Sequence, residues 1–329
     1  MLLTLPLILF IVMTELSIGA FTVLYLLDWR NQVKRSFLVT YAIIFLILTG
    51  LTVLVQQNFS TPELLNTFAL LNKAWTGYLP LPLLLFLLLM LPYTILLWLD
   101  KKAGVEGKKK AEEEEGEGTR RSSLRLLRLV SGGLAVLAGL VTLFVLGMIF
   151  RPLATSGLAG AIIVGSFFAS ALALGGVLTA MWLGHWYLVT PALSEKPLQF
   201  ATTLVLVGVL AQLAFTFTGG SAIAASQSSN TAKPAVTATA TSAVSAATPA
   251  PRAQVKPTDV PVVTPLSTNA ISWLRIVVAF VLPLVLLGFI LKLIHDRSFQ
   301  PATGMLYLVV VLTLAGEIMA RGLFLMGLQ

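Results

Sequence analysis

The chain has 329 residues, of which 57% are hydrophobic and only 11% are charged, with a mean hydropathy of +0.91 and a formal net charge of +8. Soluble domains carry about 25% charged residues, so this composition excludes an ordinary soluble protein and predicts an integral membrane protein. The absence of cysteine excludes disulfides, thiolate metal sites and iron–sulfur clusters held by this chain, and we expect no bound metal.

Eight hydrophobic segments follow one another along the chain. A helix that spans a bilayer needs about 20 predominantly apolar residues, and the segments cover approximately residues 4–27, 37–55, 78–99, 129–150, 158–190, 200–218, 272–294 and 303–326. The first segment has no basic region before it and no small-residue cleavage site after it, so it is not a typical signal peptide. We therefore predict an all-α fold, a polytopic membrane bundle of eight transmembrane helices.

The distribution of basic residues predicts the orientation of this bundle. The connections after segments one, three, five and seven contain 15 of the 22 lysine and arginine residues. Connections rich in lysine and arginine stay in the cytoplasm. We therefore expect both termini to be extracytoplasmic and the protein to be a multi-pass protein of the cytoplasmic (inner) membrane.

The connection at 219–270 separates residues 1–218, which contain six helices, from residues 271–329, which contain the final helix pair; together they form one membrane domain. The charged cytoplasmic loop at 101–128 cannot bury apolar surface and should be mobile. Basic residues beside a membrane typically bind anionic lipid headgroups, so we expect anionic lipid there and no nucleic acid. The segment 219–270 is dominated by Ala, Ser, Thr and Pro, which predicts a disordered extracytoplasmic linker.

The last hydrophobic segment contains two ionisable residues, Glu317 and Arg321. Their i,i+4 spacing places them on one helix face. Thr313 extends this face by one turn, and Gly316 and Ala320 beside it would allow another helix to approach closely. The two residues either neutralise each other as an ion pair that only fixes helix packing, or form a polar site for a ligand or proton within the bundle.

Two further residues are candidates for a site. Glu15 lies near the middle of the first segment, where it could pair with a partner or serve in a proton relay. His185 lies near the inner end of the fifth segment, among tryptophan and tyrosine residues, which is typical of a headgroup interface; the alternative is a donor to a quinone carbonyl. This segment is too long for one perpendicular crossing, so it should tilt or bend near Gly175-Gly176.

Several short motifs occur in the order found in one known family. They are Leu5-Pro6-Leu7 with Glu15 and Gly19, Phe68 to Trp75, Phe167-Phe168, Ser272-Trp273-Leu274-Arg275, and Gly316-Glu317 followed by Arg321-Gly322-Leu323-Phe324. Together they resemble the membrane anchor subunit of dimethyl sulfoxide reductase-type enzymes, related to the quinol-interacting anchors of polysulfide and nitrite reductases. The resemblance implies eight helices with outside termini, in agreement with the topology predicted above.

The resemblance also implies a function and a set of partners. It implies an anchor that binds menaquinol and passes electrons to an iron–sulfur subunit and then to a molybdopterin catalytic subunit. The family's loop histidine is absent, because residues 57–62 read Gln-Asn-Phe-Ser-Thr-Pro, and Glu15 replaces the family's glutamine. The candidates for quinol binding or proton relay are therefore Glu15, Glu317, Arg321 and His185. The alternatives are a non-catalytic membrane scaffold subunit and a small-molecule or ion transporter.

Overall fold

The computed structural model describes residues 4–101, 103–105, 118–154, 157–190, 194–231 and 273–326. Eight helices in this part of the chain are long and apolar enough to cross a membrane, which confirms the predicted all-α, multi-pass membrane fold. They are α1 (Thr4–Arg30), α2 (Arg35–Phe59), α3 (Pro80–Leu99), α4 (Gly118–Phe150), α5 (Gly157–Val189), α6 (Lys196–Thr231), α7 (Trp273–His295) and α8 (Phe299–Met326).

Helix α1 lies at the centre of the bundle, where it packs against α2, α4, α5 and α8. Its closest neighbour is α5, because glycines line their contact. A Cβ atom at Gly175 would overlap the backbone of Gly19 and Ala20, and one at Gly19 would overlap the carbonyl group of Ala171. Small residues let two membrane helices approach to backbone contact, and here they bring the middle of α1 against α5.

Helix α5 is continuous from Gly157 to Val189, a run of 33 residues. At 1.5 Å per residue it is about 50 Å long, which exceeds the hydrocarbon thickness of about 30 Å. The sequence left open a bend at Gly175-Gly176, and the helix is uninterrupted at these two residues. Both glycines instead serve close packing, since Gly175 meets α1 and Gly176 meets Val205 of α6.

A π turn at Val277–Val281 interrupts the regular hydrogen bonding of α7. The amide of Leu282 donates to the carbonyl oxygen of Val277, five residues earlier. Pro283 follows directly, and proline has no N–H to continue the α-helical ladder. The extra residue in this turn therefore lies where the proline disturbs the helix.

The connection between α2 and α3 contains two one-turn helices, Pro62–Leu65 and Lys73–Thr76. Thr61 caps the first and Asn72 caps the second through their side-chain oxygens. The amide of Asn72 also donates to the carbonyl oxygen of Ile149 at 2.9 Å. These bonds fix the connection over the end of α4.

The structure adjusts two predicted boundaries. Helix α6 continues to Thr231, past the predicted end at 218. The remainder of the predicted linker, 232–270, lies outside the described residues, and so do residues 106–117 of the charged loop. Arg128 does not belong to a solvated loop as predicted, because it is 1% exposed within α4.

Candidate functional site

The guanidinium group of Arg321 occupies the centre of a buried polar cluster between α1 and α8. It donates through Nη2 to the Glu15 carboxylate of α1, and its Nε lies 2.8 Å from Glu317 Oε1. The second contact is an ion pair without hydrogen-bond alignment. The predicted i,i+4 pair is therefore present, and the structure adds Glu15 as a second carboxylate on the same arginine.

Two further helices contribute polar groups to this cluster. Ser170 of α5 donates to Glu317 Oε1 at 3.0 Å and accepts from Arg321 Nη2 at 3.1 Å. Gln212 of α6 donates through Nε2 to Glu317 Oε2 and to Ser170 Oγ, both at 2.7 Å. The cluster thus joins four helices, and we call Glu15, Ser170, Gln212, Glu317 and Arg321 the central cluster.

An aromatic ring covers the cation of the central cluster. The Arg321 Cζ atom lies 4.0 Å from the ring centroid of Phe167, which is the geometry of a cation–π contact. The side chain of Arg321 is only 5% exposed and that of Glu15 is fully buried. Charges excluded from solvent in this way interact more strongly than charges in water.

One oxygen atom in the central cluster lacks a partner. Glu15 Oε2 is buried and makes no hydrogen bond, although Oε1 accepts from Arg321. Glu317 is different, since donors reach both of its oxygens. Buried polar atoms are usually hydrogen-bonded, so Glu15 Oε2 is the oxygen of this cluster with unused capacity to accept a hydrogen bond or a proton.

A second cation approaches the central cluster from α7. Arg275 is partly buried, donates to Thr216 Oγ1 at 3.3 Å and interacts electrostatically with Glu317. Fully ionised, the central cluster has two carboxylates and one guanidinium, a formal charge of −1. Arg275 offsets this charge, which reduces the cost of keeping both carboxylates in a bilayer.

A small apolar pocket opens near the N-terminal end of α1. It is a cavity of about 10 Å³, room for about one water molecule, between α1, the end of α2 and the connection that follows, and its lining comprises Leu7, Phe59, Leu64, Leu65, Thr67 and Phe68. Leu7 precedes Glu15 by eight residues, which is about 12 Å along a helix. The pocket therefore lies two turns from the central cluster on the same helix.

A second buried ion cluster lies about 20 Å further along α1, at the opposite end of the bundle. Arg128 donates through Nη2 to Asp28 Oδ1 at 3.0 Å and through Nη1 to Asp100 Oδ2 at 2.6 Å. Tyr93 donates to Asp28 Oδ2 at 3.1 Å. We call these four residues the α1–α4 latch, because they tie α1 to α4 and to the end of α3.

The remaining residues predicted from the sequence lie elsewhere or play local roles. His185 is exposed near the end of α5, about 22 Å along that helix from Ser170, so it does not join the central cluster. Thr313 donates to the carbonyl oxygen of Val309 within its own helix. Gly316 meets Ala279 of α7, as its small size predicts.

Sequence reasoning missed Ser170, Gln212 and the α1–α4 latch. Asp28 follows the first apolar segment directly and Arg128 precedes the fourth, so both resemble solvated helix ends. The signal for the latch that the sequence did offer was the position of charged residues at the edge of a spanning segment.

Comparison with family models, curated proteins and solved structures found no match to this chain.

Proposed function

We propose that this chain is the membrane anchor subunit of a respiratory oxidoreductase of the cytoplasmic membrane. It binds menaquinol, and the electrons pass to an iron–sulfur partner subunit and then to a molybdopterin catalytic subunit. The observation that carries the proposal is the free Oε2 atom of Glu15 beside Arg321, buried inside a bundle of eight helices. The motif resemblance suggests the kind of complex.

The residues of the central cluster suit a quinol. Oxidation of a quinol releases two electrons and two protons, so a quinol site needs a group that accepts protons. Glu15 Oε2 can accept a hydrogen bond or a proton without losing an existing bond, since it has none. We assign Glu15 the role of proton acceptor.

Glu317 has a different role in this proposal. Ser170 and Gln212 donate to its two oxygens, and Arg321 lies against Oε1. A proton on Glu317 would therefore face groups that are themselves donors. Glu317 is a positioning residue that orients Arg321, and Arg321 in turn holds the Glu15 carboxylate in place.

The sequence departs from the family pattern at the loop histidine, and Glu15 offers a replacement. Residues 57–62 contain no histidine, yet Phe59 from this stretch lines the small pocket together with Leu7 of α1. We propose that the quinol ring approaches from this end of the bundle. Glu15 then provides the acceptor that the missing histidine does not.

A structural scaffold is the second candidate function. The observation that favours it is the near-complete hydrogen bonding of Ser170, Gln212 and Glu317, which is what a packing device requires. The two functions differ in their requirement for Glu15. A scaffold needs only its bond to Arg321, whereas a quinol site needs its second, free oxygen.

Purification from native membranes in mild detergent tests the proposed partners. The anchor function predicts that the tagged chain co-purifies with a subunit that contains iron and acid-labile sulfide, and with a molybdenum-containing subunit. Purification of the chain with neither metal, from membranes in which it is intact, would contradict the proposal.

A further inference from the structure

A line of hydrogen bonds along α6 connects Arg275 of α7 to the central cluster. Arg275 Nη2 donates to Thr216 Oγ1 at 3.3 Å, and Thr216 Oγ1 donates to the carbonyl oxygen of Gln212 at 2.8 Å. The side chain of Gln212 donates in turn to Glu317 Oε2 at 2.7 Å. Residues 212 and 216 are one helical turn apart, so Arg275 lies about one turn of α6 beyond a direct partner of Glu317.

The contact between α7 and α8 fixes the start of α7 at this level of the bundle. A Cβ atom at Gly316, the residue before Glu317, would overlap the side chain of Ala279. Ala279 lies in the π turn, four residues after Arg275. Small residues allow helices to approach closely in a membrane, and here they pack the first turns of α7 beside Glu317.

The guanidinium group of Arg275 has unused hydrogen-bonding capacity. Its Nε atom is buried and makes no hydrogen bond, its Nη2 atom donates to a hydroxyl group, and its Cζ atom lies 5.7 Å from the ring centroid of Phe280. The charged groups that act on Arg275 are Glu317 and Arg321 of α8. Arg275 therefore influences the central cluster mainly through its charge.

The charges at this level of the bundle balance only when Arg275 is included. Glu15 and Glu317 are two carboxylates, Arg321 lies against both of them, and Arg275 provides the second positive charge. A net charge inside a bilayer is costly. Without Arg275, uptake of one proton by the two carboxylates would restore the balance, since carboxylates that share a site titrate as a coupled pair.

We propose that Arg275 is a positioning residue of the proton-acceptor site, whose charge keeps both carboxylates of the central cluster ionised and so leaves Glu15 able to accept a proton. Arg275 acts through Glu317, because the charged groups that act on Glu15 are Arg321 and Glu317. When Arg275 offsets part of the charge of Glu317, more of the Arg321 charge is available to Glu15. The acceptor role rests on the proposed function, whereas the charge balance is a property of the resting chain.

Infrared spectroscopy of the purified full-length chain in phosphatidylcholine nanodiscs, without quinol, tests the charge balance. A protonated carboxyl has a C=O stretching band that a carboxylate lacks, so a pH titration shows when the pair takes up a proton. A nearby cation typically lowers the pH of that step by about 1–3 units. The midpoint should therefore move upward by about one pH unit or more in Arg275→Gln. The other carboxyls are the same in both proteins, so the difference between the titrations reports the central cluster.

Three variants serve as controls for this titration. Arg151→Gln should leave the midpoint unchanged, because Arg151 is an exposed arginine directly after α4. Arg275→Lys keeps the positive charge and should keep the midpoint close to that of wild type. Arg275→Gln combined with Glu317→Gln has one carboxylate and one guanidinium, so it should lose the band that Arg275→Gln alone gains at neutral pH.

Each outcome of these measurements supports or overturns the proposal. An upward shift in Arg275→Gln that is absent in Arg275→Lys supports it. An unchanged midpoint in Arg275→Gln, or an equal shift in Arg151→Gln, overturns it. If Arg275→Gln does not accumulate in the membrane, the double variant with Glu317→Gln decides, because its accumulation supports charge balance and its loss shows that Arg275 acts through packing.

The titration is independent of the test of the proposed function. Quinol is absent, so the shift should persist even if Glu15 has no part in quinol oxidation. An unchanged midpoint would remove the role of Arg275 and leave the effect of Glu15→Gln on quinol oxidation to be judged by itself.

Discussion

Arg321 on the last helix donates to Glu15 on the first helix, across 306 positions of sequence. The same guanidinium lies against Glu317 on its own helix. Two carboxylates therefore share one buried cation, and the two ends of the chain are joined in the middle of the bundle. This relationship determines both the stability of the bundle and the chemistry that we propose for it.

Removal of Arg321 should destabilise the bundle strongly. Arg321→Ala leaves two buried carboxylates without their cation, and breaking a buried pair typically costs about 3–5 kcal/mol. The triple variant Glu15→Gln, Glu317→Gln, Arg321→Gln leaves no charge behind and should be more stable than the single variant. Thermal unfolding of the purified proteins checks this order.

An exposed ion pair provides the control for that prediction. Arg297 pairs with Glu195 at 3.0 Å, with 67% of the arginine side chain exposed. Exposed pairs contribute about 0–1 kcal/mol, so Arg297→Ala should unfold close to the wild-type temperature. If Arg321→Ala were as stable as Arg297→Ala, the central cluster would not hold α1 to α8.

The α1–α4 latch should have a similar effect at the other end of the bundle. Arg128→Ala strands Asp28, which is fully buried, and should lower the unfolding temperature strongly. Arg125→Ala is the matched control, since Arg125 lies one turn earlier in α4 and is exposed. Equal stability of the two variants would mean that Arg128 is solvated, as the sequence alone predicts.

The close contact between α1 and α5 should not tolerate a methyl group. Gly175→Ala places a Cβ atom against the backbone of Gly19, which cannot move aside as a flexible side chain can. Overpacking typically costs about 1–3 kcal/mol, and the measurement is thermal unfolding. Gly50→Ala is the control, because nothing lies within 4 Å of a Cβ atom there; equal losses in both variants would contradict the packing argument.

The orientation of the bundle remains a prediction from the basic residues. Reporter fusions should place Lys108 in the cytoplasm and both Thr239 and Gln329 outside it. If all eight apolar helices in the described part of the chain cross the membrane, the two ends of the chain should lie on the same side. A cytoplasmic readout at Thr239 would contradict the predicted orientation.

The sequence predicts the fold well, because long apolar segments are a strong and local signal. The pair Glu317 and Arg321 is also predictable, since i,i+4 spacing within one helix determines which side chains meet. Contacts between helices are not local. Nothing in the sequence around Ser170 or Gln212 identifies them as partners of Glu317, because their positions depend on how α5 and α6 pack.

Residues at helix ends are the hardest to assign from sequence. Asp28 and Arg128 look like solvated flanks of apolar segments, and only tertiary packing buries them against each other. The environment of Glu15 can be predicted from the sequence only in part. Its burial follows from its place in an apolar segment, whereas its cation comes from the other end of the chain.

We propose that Glu15 accepts a proton from a bound quinol, and quinol titration of the purified complex tests this role. Glu15→Gln keeps an oxygen that can accept from Arg321 but removes the carboxylate, so the protein should accumulate and unfold like wild type. Glu195→Gln, at an exposed ion pair, is the matched control and should leave both binding and turnover unchanged.

A fluorescent quinol analogue should show saturable quenching with the wild-type complex. Glu15→Gln should lower quinol oxidation at least tenfold while the complex stays assembled, since general-base catalysis is typically worth about 10²–10⁴-fold. Wild-type rates of quinol oxidation in an intact Glu15→Gln complex would contradict the role of Glu15. If an intact wild-type complex showed no saturable quenching, this would contradict quinol binding itself. The structural scaffold would then be the remaining candidate function.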